Sequence, residues 1–276
     1  METTQLLIVE AVCHWVAVSF YLMATAFFTK FLVNSNHKNL TSGWWLSLIG
    51  MIPHTLSLGI RWYAVGHGPY LQQAESLSFL AYGAIGMFLA FSHKAPKLKS
   101  IGVILMPCAL LLLALRFFSA PGNEMPPATF TGIWFIIHTI SIVPAMGAFV
   151  IALGASVLYL LPKRGGGFSV KLPAPEVLDA YNHQFAGLAF ICWGIMIIAG
   201  AIWAEQSWGR YWGWDAIETW SLITWIFLGL LLHLRRFFDW QGKNAAWAMI
   251  FCFMVSVVTL FFLSSITGSI HSEYLL

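Results

Sequence analysis

Long apolar runs separated by short polar or Gly/Pro-rich breaks dominate the chain. Eight such runs stand out, at roughly residues 6–29, 43–62, 76–92, 101–118, 130–161, 184–204, 220–238 and 245–265. Each is long enough, at about 17 residues or more, to cross a hydrocarbon core as a helix. The pattern predicts an all-α fold, a polytopic membrane bundle of about eight transmembrane helices, with residues 1–276 as a single membrane domain. The fifth run is long for one span, and residues 154–161 are expected to continue as helix beyond the bilayer. A flexible Pro162-Lys163-Arg164-Gly165-Gly166-Gly167 loop follows, and residues 176–181 read as a short interfacial turn or helix leading into the sixth span. The start, Met1-Glu2-Thr3-Thr4, has no basic residue. The run from Leu6 also outlasts a signal sequence, so it reads as a retained span. No internal repeat is visible, which argues against a transporter made of duplicated halves.

Composition removes whole classes of function. Of the 276 residues 59% are apolar and only 9% charged, with a mean hydropathy of +0.77, whereas soluble domains carry about 25% charged residues. Such a chain cannot cover itself with polar groups, so its environment is the lipid bilayer. Fourteen Lys and Arg residues form no basic face for nucleic acid. Eleven of those fourteen lie in four breaks: Lys30 and Lys38; Lys94, Lys97 and Lys99; Lys163, Arg164 and Lys171; Arg235, Arg236 and Lys243. The positive-inside rule makes these breaks cytoplasmic and puts both termini on the outer side. Cys13, Cys108, Cys192 and Cys252 sit inside apolar runs without a C-x-x-C and read as packed thiols.

Two residue types exceed what a membrane protein needs for anchoring. Six of fourteen tryptophans, Trp203, Trp208, Trp212, Trp214, Trp220 and Trp225, fall in or beside the break between the sixth and seventh spans. Glycines and two acids, Asp215 and Glu218, are interspersed among them. An interfacial belt needs neither. The alternative is a flat amphipathic platform that stacks a large planar ligand, with Arg210 meeting an anionic group. The two acids have a second reading as helix caps for the seventh span.

Histidines supply the other signal, because imidazoles in apolar spans are costly. His138 lies about 12 Å below the outer end of the fifth span, and His271 just past the outer end of the eighth. His233 lies near the cytoplasmic end of the seventh, and His54 in the middle of the second, beside Pro53. His138, His271 and the tryptophans converge on one membrane face, as a planar macrocycle with an axially ligated metal requires. Haem is that ligand. His14 and His183 suit packing or function equally, His67 suits a turn or the external site, and His37 and His93 read as solvated.

The stretch Trp208-Gly209-Arg210-Tyr211-Trp212-Gly213-Trp214-Asp215 through Trp225, followed by His233, resembles the tryptophan-rich WWD signature of the cytochrome c-type biogenesis haem-handling family. The likeness is to the CcsA/ResC type of system II, and more distantly to CcmC and CcmF. Gly66-His67-Gly68-Pro69 with Glu75-Ser76, Trp134 to His138 and Ile270-His271-Ser272 are similar to other parts of that family, in the same order. Ala216-Ile217 stand where the family usually has Pro-Lys, and with no fused external domain of the single-chain kind in these 276 residues, the resemblance implies a separate partner.

The resemblance implies haem transport or presentation across the membrane and attachment to apocytochrome c. The chain would be the haem-handling part of a cytochrome c synthase (haem lyase). His138 and His271 would be external axial ligands, and His233 a transmembrane ligand with His54 as a further candidate. Trp208, Trp212, Trp214, Asp215, Glu218 and Trp220 would form the platform within an external segment at residues 205–220. Arg210, with Arg61 and Arg116 as further candidates, would contact propionates. The cargo would be haem b. The partners would be a CcsB/ResB-like membrane protein, apocytochrome c bearing C-x-x-C-H, and thiol-reducing proteins. The location would be a bacterial inner membrane, rather than a thylakoid, with the presenting face in the periplasm. The rival reading is a b-type cytochrome subunit moving electrons between quinone and haem. It needs two spaced pairs of histidines, and only His54 and His67 approach that spacing.

Overall fold

A computed structural model describes residues 2–116, 128–130, 132–161 and 172–262. His271 lies outside the described residues. Eight long helices appear among them, with no strand: α1 (Glu2–Asn34), α2 (His37–Val65), α3 (Gln73–Lys94), α4 (Gly102–Leu115), α5 (Ile133–Leu160), α6 (Pro175–Trp208), α7 (Ala216–Phe237) and α8 (Lys243–Val257). Counting α4 with the helical turn Pro96–Ile101 before it and α8 with the turn that follows it, seven of the described helices are long and apolar enough to cross a membrane, so the chain is a multi-pass membrane protein. Helix α2 falls outside that set. Its interior carries Ser47, His54, Ser57 and Arg61, all buried, and these polar side chains lower its hydropathy.

Among the described residues, helices reach into the expected breaks. Residues 176–181 form the first turns of α6 instead of a separate interfacial piece. Pro175 starts the helix at its first position, where a missing N–H costs nothing, and no Gly or Pro interrupts the chain before Gly187.

The chain folds as two compact units. Unit 1 (residues 1–125 and 161–173) contains α1 to α4. Its core includes Tyr21, Phe28, Phe31 and Phe88, all fully buried. A connected set of polar groups joins all four helices. Arg116, just past α4, pairs with Glu10 of α1 at 2.7 Å, and donates to His14 Nδ1 at 2.9 Å and Ser78 Oγ at 3.3 Å. Ser57 Oγ donates to Glu10 at 2.9 Å. Ser78 Oγ lies 3.0 Å from His54 Nε2, and Tyr21 Oη 3.1 Å from His54 Nδ1. Arginine only donates. Each acceptor in the set therefore has a defined partner, as hydrocarbon demands of buried polar atoms.

Unit 2 (residues 126–160 and 174–276) contains α5 to α8. Helices α5 and α6 run antiparallel. His138 of α5 meets Met196 of α6, while Ser156 meets Asn182 nearer the opposite end. Trp193 of α6 is fully buried against Phe149 of α5 at a 5.5 Å centroid separation, and its indole N–H reaches the Ser221 carbonyl of α7 at 3.0 Å. Helix α7 buries Ser221, Thr224, Leu228 and Leu231, a narrow stripe at helical spacing. Thr224 Oγ1 lies 3.0 Å from Thr259 Oγ1 in the π turn Val258–Phe262 that closes α8.

Unit 1 makes a stability prediction. Glu10→Ala leaves Arg116 without its counter-charge in a largely buried position, so the thermal midpoint of the detergent-solubilised protein should drop by an amount corresponding to about 3–5 kcal/mol. The double variant Glu10→Gln with Arg116→Gln should recover most of that loss.

Candidate functional site

The turn from α6 to α7 is built by local rules. Helix α6 ends at Gly209, whose φ of 71° is left-handed and whose N–H bonds Glu205 O at 2.8 Å, the usual glycine terminator. Helix α7 begins with a capping box. Asp215 Oδ1 accepts from Ile217 N at 2.8 Å, and Glu218 Oε2 reaches back to Asp215 N at 3.2 Å. The same Glu218 oxygen accepts from Gly213 N at 2.8 Å. Both acids thus adopt the capping role, and Glu218 also holds the middle of the turn.

Between these ends Trp214 takes a φ of 56° and stays 72% exposed. A bulky residue rarely holds that backbone, so the capped turn carries Trp214 at a conformational cost and presents its indole outward. Arg210 folds its guanidinium over Gly213, where a Cβ would come within 2.8 Å of Cζ.

His138 sits beside this turn. Its Nδ1 lies 2.8 Å from the Met196 carbonyl. A carbonyl only accepts, so Nδ1 carries the proton and a neutral ring keeps its lone pair on Nε2, the tautomer suited to ligating a metal. Gly200, one turn after Met196, makes the approach feasible. A Cβ there would stand 2.6 Å from His138 Nδ1. Trp203 stacks on the imidazole at 5.8 Å and 23°. Its own indole is fixed by Thr129 O at 2.8 Å and by the ring of Phe135 at 5.0 Å.

His138, Gly200, Trp203, Trp212 and Glu218 line a cleft in unit 2 with about 460 Å³ of unfilled space, counting its open mouth. Trp212 Nε1 is buried there with no hydrogen-bond partner among the described residues. A donor so placed is costly to leave unpaired.

The tryptophans do not form one flat sheet. Trp203 meets Trp208 at 64°, and Trp212 meets Trp214 at 86°; edge-to-face contact satisfies the ring quadrupoles better than coplanar stacking. Trp225 packs away from the cleft, stacked on Phe190 at 4.8 Å with its N–H on the Phe190 carbonyl at 3.1 Å. Trp220 is half-buried in the first turns of α7, and its carbonyl accepts from Thr224 Oγ1 at 2.8 Å.

The remaining candidates lie elsewhere. In unit 1, Arg61 is buried and pairs with Glu75 at 2.8 Å and Gln72 at 3.2 Å, so its guanidinium stabilises the start of α3. Arg116 is engaged by Glu10 and His14, and both ring nitrogens of His54 have partners. In this arrangement these three groups are occupied within unit 1. His67 is buried in the turn after α2 with Nδ1 3.1 Å from Gly68 O. In unit 2, His233 is exposed on α7, with the rings of Phe237 and Phe238 at 4.6 and 6.0 Å. His183 is exposed on α6.

Sequence reasoning missed Gly200 and the Met196 carbonyl. A glycine inside a long apolar helix signals close approach of another group, but nothing in the order of residues says that the visitor is His138. Glu10 was overlooked because a single acid near a chain start resembles a surface group.

Fold and site together define a multi-pass helical membrane protein with a tautomer-fixed imidazole in an aromatic cleft at the end of two spans. Residues 70–271 match the Cytochrome C assembly protein family. The chain belongs to that family. It is similar to the cytochrome c biogenesis protein CcsA of Chlamydomonas reinhardtii, with 32% identity over 69% of this chain and 56% of that protein. CcsA of Guillardia theta is 25% identical over 96% of this chain and 92% of its own length. CcsA of Prochlorococcus marinus (strain MIT 9312) is 29% identical over 79% and 80%. A solved structure of the cytochrome c haem lyase CcmF shares the fold, with a TM-score of 0.66 at 12% identity, over 95% of this chain and 52% of that one. This chain therefore spans about half the length of the CcmF chain and of the Chlamydomonas relative.

Gly200→Ala should drive the imidazole of His138 off the Met196 carbonyl with little effect on the rest of α6. The expected result is at least a tenfold loss of imidazole-dependent ligand binding at near-native thermal stability, read by ligand titration beside a melting curve.

Proposed function

We propose that this protein holds haem in the cleft between α5, α6 and the turn before α7, and offers it there to apocytochrome c. The carrying observation is His138, whose Nδ1 is bound to the Met196 carbonyl so that Nε2 bears the lone pair. The family of cytochrome c assembly proteins to which the chain belongs supports the reading. So does the likeness in fold to CcmF, a cytochrome c haem lyase.

The residues suit haem as a substrate. His138 supplies one axial ligand, and His271 is proposed as the opposite one. Trp203 and Trp212 line the cleft, with Trp212 Nε1 as a buried donor awaiting an acceptor, and Trp208, Trp214 and Trp220 are proposed to close around the ring from beside it. Arg210 lies beside Gly213, close to where an anionic propionate would emerge, whereas Arg61 and Arg116 are needed by their own ion pairs. His233 is proposed to ligate haem at the other end of α7. His54 is not retained, since both of its nitrogens are hydrogen-bonded. The same fact removes support from the b-type cytochrome alternative.

Attachment adds two thiols of a C-x-x-C-H segment across two vinyl groups. Each S–H bond breaks, sulfur bonds one vinyl carbon and hydrogen the other, with no net electron transfer. The substrate brings the nucleophiles, so this chain contributes positioning. Holding reacting atoms at near-attack distance is worth several kcal/mol. The incoming histidine of the substrate then displaces one axial ligand and releases the product. The capped turn keeps Trp212 and Trp214 in place while this exchange happens. We propose that haem b is the cargo, that a CcsB/ResB-like membrane protein completes the assembly, and that thiol-reducing proteins keep the substrate reduced. The site would face the outer side of a bacterial inner membrane, with both termini on that side.

The test is a C-x-x-C-H reporter produced with this protein and its partner. His138→Ala should lower covalent haem attachment at least tenfold, and added imidazole should restore a large part of it. Unchanged attachment would overturn the reading. Trp212→Phe, which removes the indole donor and part of the ring, should weaken haem retention at least about threefold, the low end for a single lost hydrogen bond in a dry site.

A further inference from the structure

At the end of unit 2 opposite the cleft, one carboxylate joins three helices. Asp179 of α6 takes both arms of the Arg235 guanidinium of α7, at 2.9 and 2.7 Å, and accepts from Gly242 N before α8 at 2.9 Å. Arg235 is 7% and Asp179 17% exposed in their side chains. A planar, bidentate pair held this deeply fixes rotation about the helix axis as well as distance.

Rotation matters because of what lies on the other side of α7. At 3.6 residues per turn, Arg235 is about 200° around the helix from His233. Arg235 continues the buried stripe of Ser221, Thr224, Leu228 and Leu231. His233 instead joins Ile226, Leu230 and Phe237, exposed by 53%, 45% and 67%. Phe237 in the last turn of α7 and Phe238 just past it are both exposed.

We propose that Asp179 and Arg235 are positioning residues for His233: their ion pair fixes the rotation of the α7 end and so turns the imidazole outward from unit 2, where it meets iron. The proposal rests on the reading of His233 as a haem ligand. It assigns the orientation of that ligand to a pair of residues that touch neither haem nor His233.

The experiment uses the whole protein in lipid nanodiscs and separates the two claims. First, with Cys13, Cys108, Cys192 and Cys252 replaced by alanine and His233→Cys carrying a nitroxide, the collision rate with dissolved oxygen reports how far position 233 faces lipid. Adding Asp179→Asn or Arg235→Lys should change that rate at least twofold. Arg235→Lys keeps the buried charge pair and the Gly242 contact but loses the fork, so it guards against a variant that fails to fold. Second, in His138→Ala protein the haem that remains is measured by its low-spin histidine-ligated absorption. His233→Ala should abolish it, and Asp179→Asn and Arg235→Lys should reduce it about fivefold, with recovery on adding imidazole. An unchanged nitroxide signal in folded Asp179→Asn and Arg235→Lys protein overturns the proposal whatever the haem does. A changed nitroxide signal with haem insensitive to His233→Ala overturns the ligand reading and leaves the pair as an orienter of α7 alone.

Discussion

Inside a bilayer no water reaches a polar side chain, so each buried donor or acceptor must find its partner within the protein. That requirement sorts the polar side chains of this chain into two groups. Glu10, His14, Ser57, Ser78 and His54 are bound to one another and to Arg116. Asp179 and Arg235 are bound to each other. Such groups stabilise packing geometry, because removing one leaves its partner buried and uncompensated. His138 is different. One of its nitrogens is tied to a backbone carbonyl, which fixes the ring's tautomer and orientation.

The cleft combines firmness below with strain above. His138 rests on Gly200 and Trp203, and Trp203 rests on Thr129 and Phe135. This lower wall belongs to two long helices packed face to face. The upper wall is a short turn whose Trp214 holds an unfavourable backbone angle, kept there by the Asp215 and Glu218 capping box. The imidazole is seated on packed helices, while the aromatic cover sits on a segment held by a few hydrogen bonds. Caps of this kind contribute about 1 kcal/mol each, comparable to the energies of local opening.

The helices, their order and the enrichment of tryptophan and histidine at one turn were legible in the linear chain. Apolar run length and Gly/Pro punctuation are local properties that any folded state must respect. Helix ends were less legible, as at α6, where residues 176–181 continue the helix because Asp179 is paired with Arg235 and need not remain in water. The arginines were the least legible. Arg61, Arg116 and Arg210 look alike as lone basic residues among apolar runs. Only Arg210 lies in the turn, however, while Arg61 and Arg116 each face an acid brought from another helix.

Sequence alone therefore determined a multi-pass helical protein with a WWD-like turn and histidines at the ends of spans, because periodicity, hydropathy and turn chemistry act over a few residues. Only the tertiary structure decided which imidazole meets a backbone carbonyl, which tryptophans line the cleft and which acids are caps. Those outcomes depend on side chains from separate helices meeting within about 3 Å, the range over which a hydrogen bond forms.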